Sequence, residues 1–445
     1  MHICPNVEYM NESGSILIIT YYLPPKDHIA SQRTGGLCEY LSKSGWDIVA
    51  LTADHSPTFE SSYEIISTDF RSTFLSRLIN KYKGETRSDF SNQKKSTSVD
   101  SSVETTGYLD LIERILGPPV RFIRDEIVHY PDDKRLWENN AVKTGNNYIT
   151  NHEVSCIISS SGPFTSHRIA SRLSKHHDLP WIADYRDRWS QNPYKNHTSI
   201  REFFEKRMEI NTIKPANEIV TVSDPIAEDI SNIHNKKVTT ILNGHDKSRV
   251  PDRDLSDEYT ILYPGQFYRG KHNPKMLFSA VSQLLDDGID LSNFRIDFYG
   301  YAQPWIKQLA NRYQIEEFIN DRDFAPQTEI LKRERESHCL LSLHWDDPRS
   351  EGVYTGKIFE YLAAERPIVA INPPKVVEQL LKETEAGESF YDDEELADWI
   401  RTQYTTFQEK GKVNYNKDPE SVQKYSQQRM AKKFENLIVK NISEY

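Results

Sequence analysis

The segment Glu351–Pro367, EGVYTGKIFEYLAAERP, has residue types suited to a phosphorylated ligand. A polar turn with Gly352 and Gly356 leads into a helical stretch carrying Lys357, Glu360 and Tyr361. The start of a helix offers free backbone N–H groups and a positive dipole end, which suit a phosphate. Tyr354, Thr355, Gly356 and Lys357 are therefore candidate anion-binding residues. Lys357 and Glu360 are three residues apart and share a helix face. A carboxylate at Glu360 can accept two hydrogen bonds from a ribose diol. The plain alternative is an exposed Lys–Glu pair on an ordinary helix.

Other segments add polar groups beside apolar runs. In YPGQFYRGKHN, Tyr263–Asn273, a strand ends at Gly265, and Arg269 and Lys271 follow within six residues. Cations just past the carboxyl end of a strand lie where open α/β sheets bind ligands. They could neutralise a diphosphate leaving group; a solvated loop is the alternative. Tyr21–Gly36 occupies the phosphate-loop position after the first strand, but it has neither GxGxxG nor GxxxxGK[ST]. Ser31, Gln32 and Arg33 are expected to line a cleft there instead. PWIADYRDRW places Asp184, Arg186 and Asp187 at the carboxyl end of a strand, where buried charges are functional or paired with each other. His167 on the preceding helix reads as a surface or helix-capping residue. No Ser–His–Asp or Cys–His order argues for a protein nucleophile.

These residues need a scaffold, and the periodicity supplies one. Short apolar runs read as strands at Ser15–Leu23, Asp47–Thr52, Val154–Ser160, Trp181–Tyr185, Glu218–Ser223 and Val238–Leu242. Helical stretches such as Ser31–Ser44, Thr165–His177 and Ser199–Ile213 fit between them. A second series begins at Tyr259–Tyr263 and continues through Phe294–Tyr299, Cys339–His344 and Pro367–Ile371. Its helices are Pro274–Leu285, Trp305–Tyr313, Glu329–Ser337 and Lys357–Glu365. Strand–helix alternation implies parallel sheets with helices on both faces. The fold class is α/β, with two doubly wound Rossmann-like lobes and a cleft between them. The seam is the polar Asn243–Glu258, and Ser421–Val439 reads as one amphipathic helix that returns to brace the first lobe.

Bulk properties narrow the class. With 445 residues, 37% of them hydrophobic, the chain can bury two cores. Its net charge of −11 argues against nucleic acid as a partner. Cys4, Cys38, Cys156 and Cys339 form no CxxC pair and read as reduced structural thiols. The first apolar run is shorter than the ~20 residues that cross a bilayer. A cytoplasmic protein is expected, soluble or resting on the inner face of a membrane. Arg71–Lys95 holds seven Lys or Arg against two acidic residues, with Phe74, Leu75, Leu78, Ile79 and Tyr82 at helical spacing. That insertion, 70–102, reads either as a solvated segment or as a membrane-surface or acceptor-binding helix.

The chain resembles the retaining glycosyltransferases of family 4, which have the GT-B fold. The resemblance runs from ILIITYYLPP to the tail and rests on YYLPP…SQR, PDDKRLW, SSSGPFTSH, PWIADYRDRW, TVSDPI, ILNGHD and YTGKIFEYLAAERPIV. It is nearest to bacterial and archaeal members that build surface polysaccharides. It implies an acceptor-binding lobe at 1–245, a linker at 246–258, a nucleotide-sugar-binding lobe at 259–418 and a crossing helix at 419–445. It implies that Lys271 binds the diphosphate, that Gln266 stands where many members have arginine, with Arg269 as its substitute, and that Glu360 meets the ribose. Gly352 stands where the family has its other glutamate, and Arg186 where many members have a histidine. Arg186 or Asp187 is then expected to act at the donor sugar, beside Lys271 and Arg269. The implied reaction is transfer from a UDP- or GDP-linked sugar to a glycan or polyprenyl-linked acceptor, of hexosyltransferase type, with neither cofactor nor metal. The DxD triplets Asp252–Asp254 and Asp321–Asp323 read as incidental. Alternatives are a degenerate partner subunit and a GT-B sugar-nucleotide epimerase.

Overall fold

The computed structural model of the chain describes residues 14–26, 28–53, 60–69, 130–193, 198–265, 267, 271–300 and 304–445. Cys4, the basic insertion at 70–102, Gln266 and Arg269 lie outside the described residues.

Two parallel sheets carry the architecture. The first has the order β3-β2-β1-β4-β5-β6-β7 and the second β10-β9-β8-β11-β12-β13. In chain order the strands are β1 Ser15–Ile19, β2 Ile48–Ala53, β3 Glu64–Thr68, β4 Val154–Ser160, β5 Trp181–Tyr185, β6 Glu218–Thr221 and β7 Val238–Thr240. The second sheet comprises β8 Tyr259–Pro264, β9 Phe294–Tyr299, β10 Ile319–Arg322, β11 Cys339–Leu343, β12 Ile368–Ile371 and β13 Gly387–Phe390. The helices around the first sheet are α1 Ile29–Lys43, α2 Trp137–Asn151, α3 Thr165–His177, α4 Ser199–Ile213 and α5 Asp224–His234. Around the second lie α6 Lys275–Asp286, α7 Pro304–Arg312, α8 Gln327–Glu336, α9 Lys357–Ala364, α10 Lys375–Thr384 and α11 Asp393–Lys410. The tail comprises α12 Pro419–Lys424 and α13 Gln427–Glu444.

Central strands are buried on both faces because helices cover both. Along β1, Leu17 and Ile19 join the core under Trp137 and Trp181, while Ile16 and Ile18 join the one against α1. Met430, Ala431, Phe434 and Ile438 of α13 pack into that second core with Leu37 and Leu41 of α1. The C-terminal helix therefore lies on the first lobe.

Several bounds shift by a few residues from the sequence reading, and three differences are larger. The first strand stops at Ile19 rather than Leu23. The tail is two helices instead of one. Its break falls where His245 N–H donates to the Tyr425 carbonyl at 2.8 Å and Gln427 N–H donates to the His245 carbonyl at 2.8 Å. Pairing with the linker replaces the helical ladder, and Ser426 then caps α13 by accepting from Arg429 N–H at 3.3 Å. Finally, His167 is neither a surface residue nor a cap. It is fully buried, and its Nδ1 lies 2.8 Å from the Ser159 hydroxyl. Burial pushes its pKa down to about 3, so the ring is neutral.

Candidate active-site cleft

Each sheet reverses its winding once, between β1 and β4 in the first lobe and between β8 and β11 in the second. Ligands of doubly wound sheets bind outside the carboxyl ends at such a reversal. A cleft of about 500 Å³ lies there, walled by both lobes and floored by the linker.

The second-lobe wall is built on α9. Tyr354, Gly356, Phe359, Glu360 and Ala363 line the cleft. Gly356 caps α9 without a side-chain hydrogen bond, and of the first-turn N–H groups Ile358 bonds the Thr355 carbonyl at 3.1 Å. Among the described residues the buried Thr355 hydroxyl has no hydrogen-bond partner. Glu360 accepts from the Gln327 side chain at 2.8 Å. The Lys357 ammonium sits 4.7 Å from the centre of the Tyr263 ring and against Gly265, where any Cβ would collide with it. Desolvation lowers the Lys357 pKa to about 8, against the opposing pull of Glu360 and Glu334. Lys271 lies 4.2 Å from the centre of the Trp345 ring, just past the carboxyl end of β11, and shares that ring with Arg349.

On the first-lobe wall, Gln32, Arg33, Arg186 and Asp187 all line the cleft. Asp184 and Ser31 are buried and do not line it. Asp184 accepts two hydrogen bonds from Arg33, at 2.7 and 3.0 Å, and one from Ser160 at 2.8 Å. The Arg33 guanidinium also donates to the carbonyls of Ile241 and Leu242 at 3.0 and 3.1 Å. These two residues thus join α1, β5 and the segment just after β7. Arg186 donates to the carbonyls of Ser161 and Gly162, so its guanidinium mainly braces the turn after β4. Asp187 is exposed on the wall.

The lobes meet at one corner of the cleft. The Arg188 guanidinium donates to the Glu351 carbonyl at 3.0 Å and pairs with Asp229 at 2.6 Å. Next to it Gly352 has φ +82°, and a Cβ there would lie 2.9 Å from Pro225 Cβ and Ser223 Oγ. A glutamate at 352 fits neither that backbone nor that contact. Gly352→Ala is expected to lower stability by about 1–3 kcal/mol, read as a fall in the thermal midpoint. An unchanged midpoint would show that this corner is not closed in solution.

Several wall residues escaped the sequence reading. Asp132 lines the cleft and caps α3, accepting from Thr165 N–H at 2.9 Å and from its hydroxyl at 2.7 Å. Tyr22 and His28 line it as a stacked pair, centroids 3.8 Å apart. Glu334 of α8 is fully buried beside Lys357 and Glu360, and among the described residues both its oxygens lack a hydrogen-bond partner. Desolvation, with Glu360 adding to it, raises its pKa well above the ordinary value of 4.5. The native state therefore holds a proton that the unfolded chain has released, and Glu334 removes stability as pH rises above 4.5. Glu334→Gln is expected to raise the thermal midpoint relative to wild type at about pH 8 and by less at about pH 5. An equal difference at both would refute the protonated form. The run QTEILKRERE gives no sign of this burial, since its charges read as a solvated face.

Two doubly wound parallel sheets, joined by a linker and a returning C-terminal helix around a cleft, constitute the GT-B fold. Among solved structures, the chain is similar to sucrose-phosphate synthase from Thermosynechococcus elongatus, with TM-score 0.63, 13% identity and coverage of 97% of this chain and 100% of that one. It is also similar to Anabaena HepE in complex with UDP and glucose, with TM-score 0.59, 12% identity and coverage of 96% and 100%. A third similar structure is the apo form of the lipopolysaccharide outer core galactosyltransferase WaaB, with TM-score 0.53, 12% identity and coverage of 96% and 99%. No family model matches the sequence, and no curated protein matches it. Identities this low speak for the fold alone, so the chemistry must be argued from the cleft.

Proposed function

We propose that the protein is a glycosyltransferase that moves a sugar from a UDP- or GDP-linked donor to a glycan or polyprenyl-linked acceptor. The observation that carries this reading is α9. Its N-terminus without a side-chain cap, the half-buried Lys357 behind the wall and the cleft-lining Glu360 stand together at the reversal point of the second sheet. In this reading Glu360, steadied by Gln327, accepts the ribose hydroxyls. The helix end and Lys357 face the diphosphate.

Transfer breaks the bond between the anomeric carbon and the diphosphate oxygen, and the electron pair leaves with the diphosphate. Lys357 and the N-terminal end of the α9 dipole stabilise the charge that develops there. The acceptor oxygen bonds to the anomeric carbon, and its proton passes to the departing phosphate. With retention, as in family 4, no protein nucleophile is required. The buried thiols are unsuited to that role: burial pushes Cys156 and Cys339 up to about 12. Closure of the lobes excludes water and limits hydrolysis of the donor.

The test is thermal stabilisation by UDP, GDP and ADP, run on wild type and Glu360→Ala. Ligand at 100 times its Kd is expected to stabilise by about 2.7 kcal/mol. A shift with one nucleotide, lost in Glu360→Ala, supports the donor site. No shift with any nucleotide favours a degenerate partner subunit.

A further inference from the structure

Helix α4, Ser199–Ile213, is inside out for a surface helix. Its buried side carries Arg201, Glu205 and Glu209. Glu209 accepts from the Tyr185 hydroxyl at 3.2 Å and from Ser190 N–H at 3.0 Å. Its outer side presents Ile200, Phe203 and Phe204 with 73%, 62% and 55% of their surface exposed. An ordinary surface helix turns such residues toward the core. The two phenylalanine rings meet edge to face, 5.6 Å apart, and form a ridge with water on its outer side.

Cations flank the ridge, although the chain as a whole is acidic. On one side a groove of about 410 Å³ runs between Phe204 and Arg207 of α4 and Arg168, Arg172 and Lys175 of α3. The carboxylate lining it, Glu138, already pairs with Arg168 and Arg172. On the other side Phe203 and Lys206 border a groove with Arg188 and Arg349, balanced by Glu202 and Asp229. Asn192 lines both this second groove and the cleft, so the ridge stands beside the cleft mouth. Among the described residues, no helix is long and apolar enough to cross a membrane.

We propose that the α4 face rests on an anionic bilayer, with Ile200, Phe203 and Phe204 in the headgroup boundary and Lys175, Lys206 and Arg207 against lipid phosphates. Apolar insertion combined with electrostatic attraction is how interfacial helices bind. Two-fold pairing of this face with a second copy would set Lys175, Lys206 and Arg207 near their own counterparts, whereas an anionic lipid surface complements them. This placement stands whatever reaction the cleft runs. If the proposed transfer is correct, it brings a lipid-linked acceptor to the cleft mouth.

The experiment is co-sedimentation of the full chain with phosphatidylcholine vesicles and with vesicles that also carry phosphatidylglycerol. Wild type is expected to bind the anionic vesicles, less so at high salt. F203E/F204E is expected to weaken that binding by about tenfold or more. K206Q/R207Q keeps the ridge and is expected to lose most of the preference for anionic lipid. Far-UV circular dichroism and the nucleotide shift, measured on the same proteins, report folding and the cleft separately. Equal binding by wild type and both variants would overturn the proposal, as would no binding at all. A wild-type dimer that F203E/F204E converts to monomer would assign the face to a second copy and overturn it too.

Discussion

Replacing Lys357 with alanine is expected to lower the rate of the proposed sugar transfer by about 10²–10³-fold, the loss typical of one preorganised group facing a developing anion. The ammonium is held in place before any ligand arrives, between the Tyr263 ring and Gly265. Its burial makes the charge expensive in the empty protein, which is why its pKa falls to about 8. An incoming diphosphate relieves that cost, so the interaction is stronger than for an exposed lysine. A pH signature follows. Below about 8 the ammonium is charged, and above it the free amine offers no charge. The kcat/KM for donor is expected to fall as pH rises through about 8 in wild type and to lack that limb in Lys357→Ala. A wild-type profile flat across that range would separate Lys357 from the reaction.

The largest stability effect is expected at Asp184. Removing one partner of a buried, hydrogen-bonded ion pair leaves the other charge uncompensated and costs about 3–5 kcal/mol. Asp184 and Arg33 have side chains only 0% and 2% exposed. Asp184→Ala is expected to bring down the first-lobe transition in urea, followed by tryptophan fluorescence. A double replacement by apolar residues is often neutral for such pairs. Here it should not be, because the carbonyls of Ile241 and Leu242 would lose the Arg33 donors as well. A double variant as stable as wild type would show that the pair does not hold the segment after β7.

Much of the scaffold was legible because it rests on local pattern. Central strands such as VSCIISS and WIADY are apolar runs with helical periodicity between them, and their bounds match the structure. The strands β3, β10 and β13 were not legible. EIIST, INDR and GESF lie at or near sheet edges, half exposed, so no continuous apolar run marks them. In the cleft, the segments Tyr21–Gly36 and Glu351–Pro367 were singled out because they follow strands and open helices. What each side chain does there was not legible. Arg33 and Asp184 stand 151 residues apart and look equally free in the sequence. Nor does the sequence show that Lys271 packs on Trp345.

By itself the sequence determined two series of alternating strands and helices, a polar seam between them, and polar loops at the carboxyl ends of their strands. These depend on hydrophobic period and turn chemistry, which act within about ten residues and need no knowledge of the partner elements. Tertiary structure alone decided which charges pair, which carboxylate loses water at Glu334, and why the tail helix breaks at Ser426 to pair with His245. It also decided which way α4 faces. Desolvation and hydrogen bonding depend on neighbours brought together from distant parts of the chain, and no local pattern carries that information.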